Sequence, residues 1–192
     1  MSNVDREKWD ARYREQGVES RTPHAFLTGL ASVLPRQGRA LDVAGGSGRN
    51  AIWLAQRGLA VTLVDISLEG LALAKAEAVA VGVTLDLVLA DLEVDPLPPG
   101  PYDVVFSANF LRRPLFGEFP RILAPGGALV FIQPTRKNLE RNPRPPAPFL
   151  LEDAELPSLV QGLELETYEE TWFPSSDGQR HEAHLLARKP PG

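Results

Sequence analysis

Between residues 39 and 133, short apolar runs alternate with segments whose apolar positions recur at helical spacing. Arg39–Ala44, Ala60–Val64, Thr84–Leu89, Tyr102–Ser107 and Ala128–Gln133 read as strands. They are short, apolar and rich in β-branched residues. Helical segments separate them. One runs over Gly48–Arg57 and is closed by Gly58. A second is capped by Ser67 and runs to about Val81, with Gly82 as its stop. A third lies around Leu115–Leu123 and leads into Pro125-Gly126-Gly127. Strand–helix alternation of this kind predicts a parallel sheet covered by helices on both faces, because parallel strands need crossover connections.

The two ends depart from this rhythm. Near the N-terminus, Val4, Trp9 and Tyr13 lie in a helical segment over 3–16. Trp9 and Tyr13, four apart, share one face. Thr22-Pro23 predicts an N-cap with proline at the first helical position, opening a second helix to about Leu34. After Gln133 comes a proline-rich connector, 134–148, then a helix near 151–160. Strand-like segments at about 163–172 and 181–188 follow, separated by the turn Pro174-Ser175-Ser176-Asp177-Gly178. The last two strands therefore form an antiparallel hairpin. The predicted fold is α/β, a doubly wound, mostly parallel seven-stranded sheet. The chain reads as one domain over 1–192. Residues 1–35 form a helical cover, 36–133 a ligand-binding core, 134–148 the connector and 149–192 the terminal helix and hairpin.

Composition narrows the classes. The chain has 192 residues, 43% of them apolar and 23% charged, which is globular. A net charge of −5 argues against nucleic acid as partner. There is no cysteine, so disulfides and thiolate metal sites are excluded. His24, His181 and His184 read as too scattered for a metal cluster, and on one strand His181 and His184 would face opposite ways. The polar N-terminus has no signal-like apolar core, and no run approaches membrane-spanning length. The cytoplasm is the expected compartment, with no membrane partner. Oligomeric state is not encoded in any feature of the pattern.

The candidate chemistry sits in "LDVAGGSGRNA", residues 41–51. An open parallel sheet binds ligands beyond the carboxyl ends of its strands, and the loop after the first strand lies there. Gly45, Gly46 and Gly48 let the backbone bend tightly and let a ligand approach without meeting a Cβ. The helix that follows offers free N–H groups. Asp65, closing the second strand, is placed to accept hydrogen bonds from ribose hydroxyls. The pair points to a nucleoside ligand. Gly46-Ser47-Gly48-Arg49-Asn50-Ala51 also aligns with G-x-G-x-x-A, a dinucleotide fingerprint. Asp42, inside the strand, opposes a pyrophosphate and favours a cation.

This stretch resembles motif I of the class I S-adenosylmethionine-dependent methyltransferases, an acidic residue followed by G-x-G-x-G, with Ala44 at the first glycine. "VDIS" (64–67), "ADLEVDPLP" (90–98), "YDVVFSANFL" and "LAPGGALVFIQ" resemble the motifs that follow. Within the class, "KWDARY", "NFLRRPLF", "NPRPPAPFLLEDAEL", "LELETYEE" and "AHLLARKP" are similar to the small tellurite-resistance-type methyltransferases, which often have histidine where Arg112 stands. The resemblance implies a Rossmann-like methyltransferase fold, S-adenosyl-L-methionine as cofactor and a small-molecule methyl acceptor such as a thiol, a chalcogen oxyanion or a small metabolite. It implies that Ala44, Gly45, Gly46, Gly48 and Asn50 line the methionine part and that Asp42 orients the loop or reaches the amino group through water. Asp65 takes the ribose, Ile66 packs on adenine, and Asp91 with the Leu92 N–H meets the adenine edge. Ser107 and Ala108 offer carbonyls near the reactive end, and Tyr13 covers the methionine end. The resemblance names no catalytic side chain, since holding a nucleophile in line and excluding water suffices. Arg112 and Arg113 are either acceptor attractors or surface charges. Two other readings remain: a nicotinamide-dependent oxidoreductase, which lacks any Tyr-x-x-x-Lys pair here, and a non-catalytic domain that binds the cofactor alone.

Overall fold

A computed structural model describes residues 3–18, 20–175 and 178–192. The strands are β1 (Arg39–Val43), β2 (Ala60–Asp65), β3 (Asp86–Leu89), β4 (Tyr102–Ala108), β5 (Leu123–Pro134), β6 (Glu164–Ser175) and β7 (Gly178–Arg188). They form one sheet in the order β3-β2-β1-β4-β5-β7-β6. The first five are parallel, and β7 inserts antiparallel between β5 and β6. The sheet runs outward from β1 in both directions, so the order reverses between β1 and β4. Ligand crevices of open α/β sheets form at such a reversal.

Alternation along the strands divides the core in two. Leu41, Val43, Val105, Leu129, Phe131 and Leu185 face one layer. Ala40, Val104, Phe106, Val130, Ile132 and Leu186 face the other. The helices are α1 (Asn3–Gln16), α2 (Ala25–Gly29), α3 (Arg49–Gln56), α4 (Leu68–Ala80), α5 (Phe119–Ile122) and α6 (Leu156–Leu159). The second layer packs under α2, α3 and α4 through Leu27, Ala51, Leu54, Leu71 and Ala74. The first is closed by short elements carrying Leu115, Phe116, Phe119 and Leu156.

Several expected elements are shorter or differently bounded. The helix expected to open at Thr22-Pro23 is α2, five residues long, and its cap is His24, whose Nδ1 accepts from the Phe26 N–H at 3.2 Å. The helix expected at Leu115–Leu123 splits into a 3₁₀ turn at Arg113–Gly117 and α5, with proline in the first turn of each. That expected near 151–160 contracts to α6, which follows the left-handed Ala154 (φ 55°). β5 starts earlier than expected, because Pro125-Gly126-Gly127 is a bulge within it: Tyr102 pairs Leu123 and Val104 pairs Ala128. β3 is an edge strand, exposed at Asp86 and Leu89 and partly buried between them, not a doubly covered one. Ser176 and Asp177 of the expected hairpin turn lie outside the described residues; Ser175 and Gly178 are paired across it.

The connector is folded. Asn138, buried, accepts from the His181 N–H and from Asn142 Nδ2, and donates to the Arg144 carbonyl. Thr135 bridges to Leu151, and the Leu151 N–H reaches the Pro134 carbonyl at 3.1 Å. Among the described residues, no helix is long and apolar enough to cross a membrane.

Candidate functional site

β1 ends at Val43 because Ala44 turns into the left-handed region, φ 55°. The chain then bends back on itself: the Gly45 N–H donates to the Val64 carbonyl, and Gly48 N–H to the Gly45 carbonyl at 3.0 Å. Two glycines are required by space as well as by φ. A Cβ on Gly48 (φ 81°) would stand 2.8 Å from the Ala74 Cβ, and one on Gly46 (φ 56°) would run into the Tyr13 hydroxyl. α3 begins directly after Gly48 with no side-chain cap, so the N–H groups of its first turn depend on other partners.

One of those partners is Asp42. Its side chain leaves β1 on the α3 side and accepts from the Ala51 N–H. It is fully buried, and Oδ2 has no hydrogen-bond partner. Burial pushes its carboxyl up to about 7. The Ala51 N–H opposes this, the charge of Asp65 adds to it, and Arg49 opposes it weakly. Asp65, also buried, grips the bend from the next strand. Oδ2 accepts from the Gly46 N–H at 2.8 Å and Oδ1 from the Ser67 N–H at 2.8 Å. Its carboxyl is raised as well, by burial first, against the N–H groups of Ser67, Gly46 and Ile66. Two carboxyls beneath one glycine bend, both disfavoured as anions by burial, make a cradle that gains from a cation.

The mouth of this cradle is covered by α1. Tyr13 lies between Gly46 and Gly70, and a Cβ on Gly70 would touch its ring at 2.9 Å. Trp9 and Tyr13 are half-buried, with ring centroids 6.2 Å apart. The helix is pinned by Asp10, whose carboxylate accepts from Ser67 Oγ at 2.5 Å and the Glu69 N–H at 3.2 Å. Arg14 adds an ion pair with Glu69.

Of the other candidate positions, Ile66 is buried beside Asp65. The Ala90 N–H donates to the Asp65 carbonyl, which brings Asp91 and Leu92 to the same rim. The Asp91 carboxylate accepts from the Glu93 N–H, and Leu92 is packed in the core. Ser107 and Ala108 end β4 opposite Val43 of β1 and Phe131 and Ile132 of β5; the buried Ser107 Oγ has no partner. Asn50 is buried on α3 with Oδ1 accepting from the His24 N–H at 2.9 Å, so this side chain ties α3 to α2.

Arg112 bonds Glu93, at 2.7 Å to its carbonyl, and Arg113 forms a two-pronged pair with Glu155. Both therefore serve as ties between segments. Of the connector cations, Arg136 pairs with Glu152 and Arg141 lies over the Trp172 ring.

The histidines correct the sequence reading. His181 bonds Thr135 Oγ1 and stands apart from His184, as strand alternation requires. His24 and His184, however, meet at Glu182. The i, i+2 spacing of Glu182 and His184 marks a shared strand face; nothing in the sequence signals that α2 delivers His24 to it.

With this sheet order, reversal point and glycine bend, the chain resembles several known proteins. Residues 41–131, from β1 through most of β5, match the family described as a methyltransferase domain. A demethylmenaquinone methyltransferase of Thermus thermophilus is 36% identical over 102 residues, 50% of this chain and 46% of that protein. This chain thus spans about half the length of the curated relative it matches. Among solved structures, TehB from Haemophilus influenzae superposes with a TM-score of 0.76 at 19% identity, over 94% of this chain and 67% of that one. A TehB-like S-adenosylmethionine-dependent methyltransferase from Corynebacterium glutamicum gives 0.68 at 20% identity, over 98% and 100%. At these identities the likeness is one of fold. Together the matches give a methyltransferase-domain resemblance over residues 41–131 and a shared fold over nearly the whole chain.

Proposed function

We propose that this chain transfers the methyl group of S-adenosyl-L-methionine to a small-molecule acceptor in the cytoplasm. One observation carries the reading: Asp65 and the glycine bend are a single hydrogen-bonded unit, joined through the Gly46 N–H at the reversal point of the sheet. Asp65 Oδ1 and Oδ2 accept from the Ser67 and Gly46 N–H groups and keep lone-pair capacity for a ribose hydroxyl. Asp91 and the Leu92 N–H, on the same rim, suit the adenine edge, with Ile66 beneath the ring. The Cβ-poor bend of Ala44, Gly45, Gly46 and Gly48 suits the methionine part. Asp42 holds α3 through the Ala51 N–H and contributes negative charge; Asn50 steadies the other side of that turn. Ser107 and Ala108 border the reactive end, and Tyr13 closes over it.

The electrostatics favour a sulfonium over a dinucleotide. Two buried carboxylates whose ionisation is disfavoured gain from a cation and repel a pyrophosphate. When bound, S-adenosyl-L-methionine supplies an electrophilic methyl carbon and a neutral thioether leaving group. The chain's own task is to hold that carbon at a fixed place, align the acceptor behind it and keep water out. Arg112 and Arg113 are paired with Glu93 and Glu155, so they add little free positive charge near β4. Such an arrangement suits a thiol or a neutral metabolite better than a chalcogen oxyanion.

A screen with methyl-labelled cofactor against thiols, selenite, tellurite and small metabolites tests the proposal. Label transfer to a thiol or neutral metabolite is expected, and Asp65→Ala abolishes it. Cofactor binding without transfer to any acceptor would point to a non-catalytic domain, and stabilisation by NADH alone to an oxidoreductase.

A further inference from the structure

At the carboxyl rim of β5, His24, Glu182 and His184 form a closed group. Their ligand atoms all lie within 4.8 Å of one another. His184 Nε2 is 2.9 Å and His24 Nε2 3.8 Å from Glu182 Oε2. In a four-coordinate site with bonds of about 2.0–2.2 Å, neighbouring ligand atoms stand roughly 3.3–3.6 Å apart. The observed spacings bracket that range. Side-chain exposures are 17% for His24, 8% for Glu182 and 4% for His184, so the group is enclosed and opens at its His24 edge.

We infer that these three side chains bind one divalent transition-metal ion, zinc by preference. Two imidazoles and a carboxylate are the donor set such ions select, whereas magnesium and calcium demand oxygen. Ring packing and a main-chain hydrogen bond hold the ligands in place. Phe173 stacks on the His184 ring at 3.7 Å and 10°, and Phe26 packs beside it. The His24 main chain is fixed by Asn50 Oδ1. Glu182 and His184 share a face of β7, opposite Pro134 and Ile132.

Binding has a local signature. His24 Nδ1 accepts the Phe26 N–H, so the proton sits on Nε2 in the metal-free state. Coordination through Nε2 moves that proton to Nδ1 and frees the Phe26 amide. One long cap bond is a small loss beside three metal bonds. Three protein ligands also leave a position for water or for an acceptor's sulfur or oxygen. The Asn109 N–H, just past β4, bonds the Ile132 carbonyl at 3.0 Å, which places the group two strands from Ala108 on the same rim.

The test uses the chain after dialysis against a chelator, titrated with zinc by calorimetry and with cobalt(II) by visible absorption. We expect one ion per chain, an intense tetrahedral-type cobalt spectrum and a shift of the Phe26 amide resonance. Glu182→Gln and His184→Ala each lower affinity at least hundredfold, while His181→Ala leaves it within a few-fold. Glu182→Gln preserves size, and its circular dichroism guards against misfolding. No uptake by the wild type, or equal binding by wild type and Glu182→Gln, overturns the inference, as does loss of binding in His181→Ala with its fold intact. None of these ligands belongs to the glycine cradle, so either outcome leaves the methyl-transfer reading where it stood.

Discussion

Asp42 and Ala44 show how single residues in the cradle trade stability for position. Asp42 is a buried carboxyl with its folded value near 7 against an ordinary 3.8. The folded state therefore holds the proton more tightly than the unfolded chain. Stability is greatest while the group is protonated in both states, and it declines as pH rises from about 4 through 7. The ligand-free chain should lose stability across that window, by at most about 4 kcal/mol from this group. Denaturant unfolding at a series of pH values measures the slope, and Asp42→Asn should flatten it. An unchanged slope in the variant would remove Asp42 as its source.

Ala44 occupies a left-handed conformation, φ 55°, where a glycine is at ease. That conformation costs an L-residue about 1–2 kcal/mol. Glycine recovers it but adds roughly 0.4–1 kcal/mol of unfolded-state entropy. Ala44→Gly is thus expected to stabilise the chain by about 0.5–1 kcal/mol in chemical denaturation, with cofactor affinity retained.

Among the elements, α1 and the connector carry the clearest consequences. α1 sits on the N-terminal end of α4 through Asp10 and lays Tyr13 over the glycine bend. A ligand entering the cradle must move this ring and then be covered by it. Tyr13→Ala is expected to raise the dissociation constant for S-adenosylhomocysteine about tenfold, equivalent to ~1.4 kcal/mol, with the melting temperature nearly unchanged. Tighter binding in the variant would make the ring an obstruction and not a cover. A buried amide, Asn138, ties the connector to β7. Asn138→Ala strands the His181 N–H and the Arg144 carbonyl, and a loss of about 1–3 kcal/mol in thermal or chemical unfolding is expected. Composition alone made residues 134–148 a proline-rich connector. Asn138 makes them part of the fold, through partners on β7 that no local pattern announces.

For the whole molecule, the sheet was legible because its signals are local. Apolar runs at strand length, Ser67 as a cap and glycines at helix ends each act within a few residues. The hairpin and the cradle were legible for the same reason, since Asp42, the glycines and Asp65 sit at strand ends whose geometry the alternation dictates. What escaped depends on contacts between distant segments. His24 displaces Thr22 as the α2 cap while its backbone is fixed by Asn50 of α3. Arg112 and Arg113 are drawn into pairs with Glu93 and Glu155. Helices at Arg113–Gly117, Phe119–Ile122 and Leu156–Leu159 are cut short by proline and glycine within apolar periodicity that alone suggested longer ones.

The claim beneath all of this is that the Cβ-poor cradle between Asp42 and Asp65 receives an adenosyl sulfonium. Calorimetric titration of the full chain with S-adenosyl-L-methionine tests it most directly, with Asp65→Ala run alongside and its folding checked by thermal melting. The account predicts one ligand per chain with a dissociation constant on the order of micromolar, and no detectable heat from a folded Asp65→Ala. Absence of heat from the wild type at millimolar ligand, or equal binding by the two proteins, would contradict it.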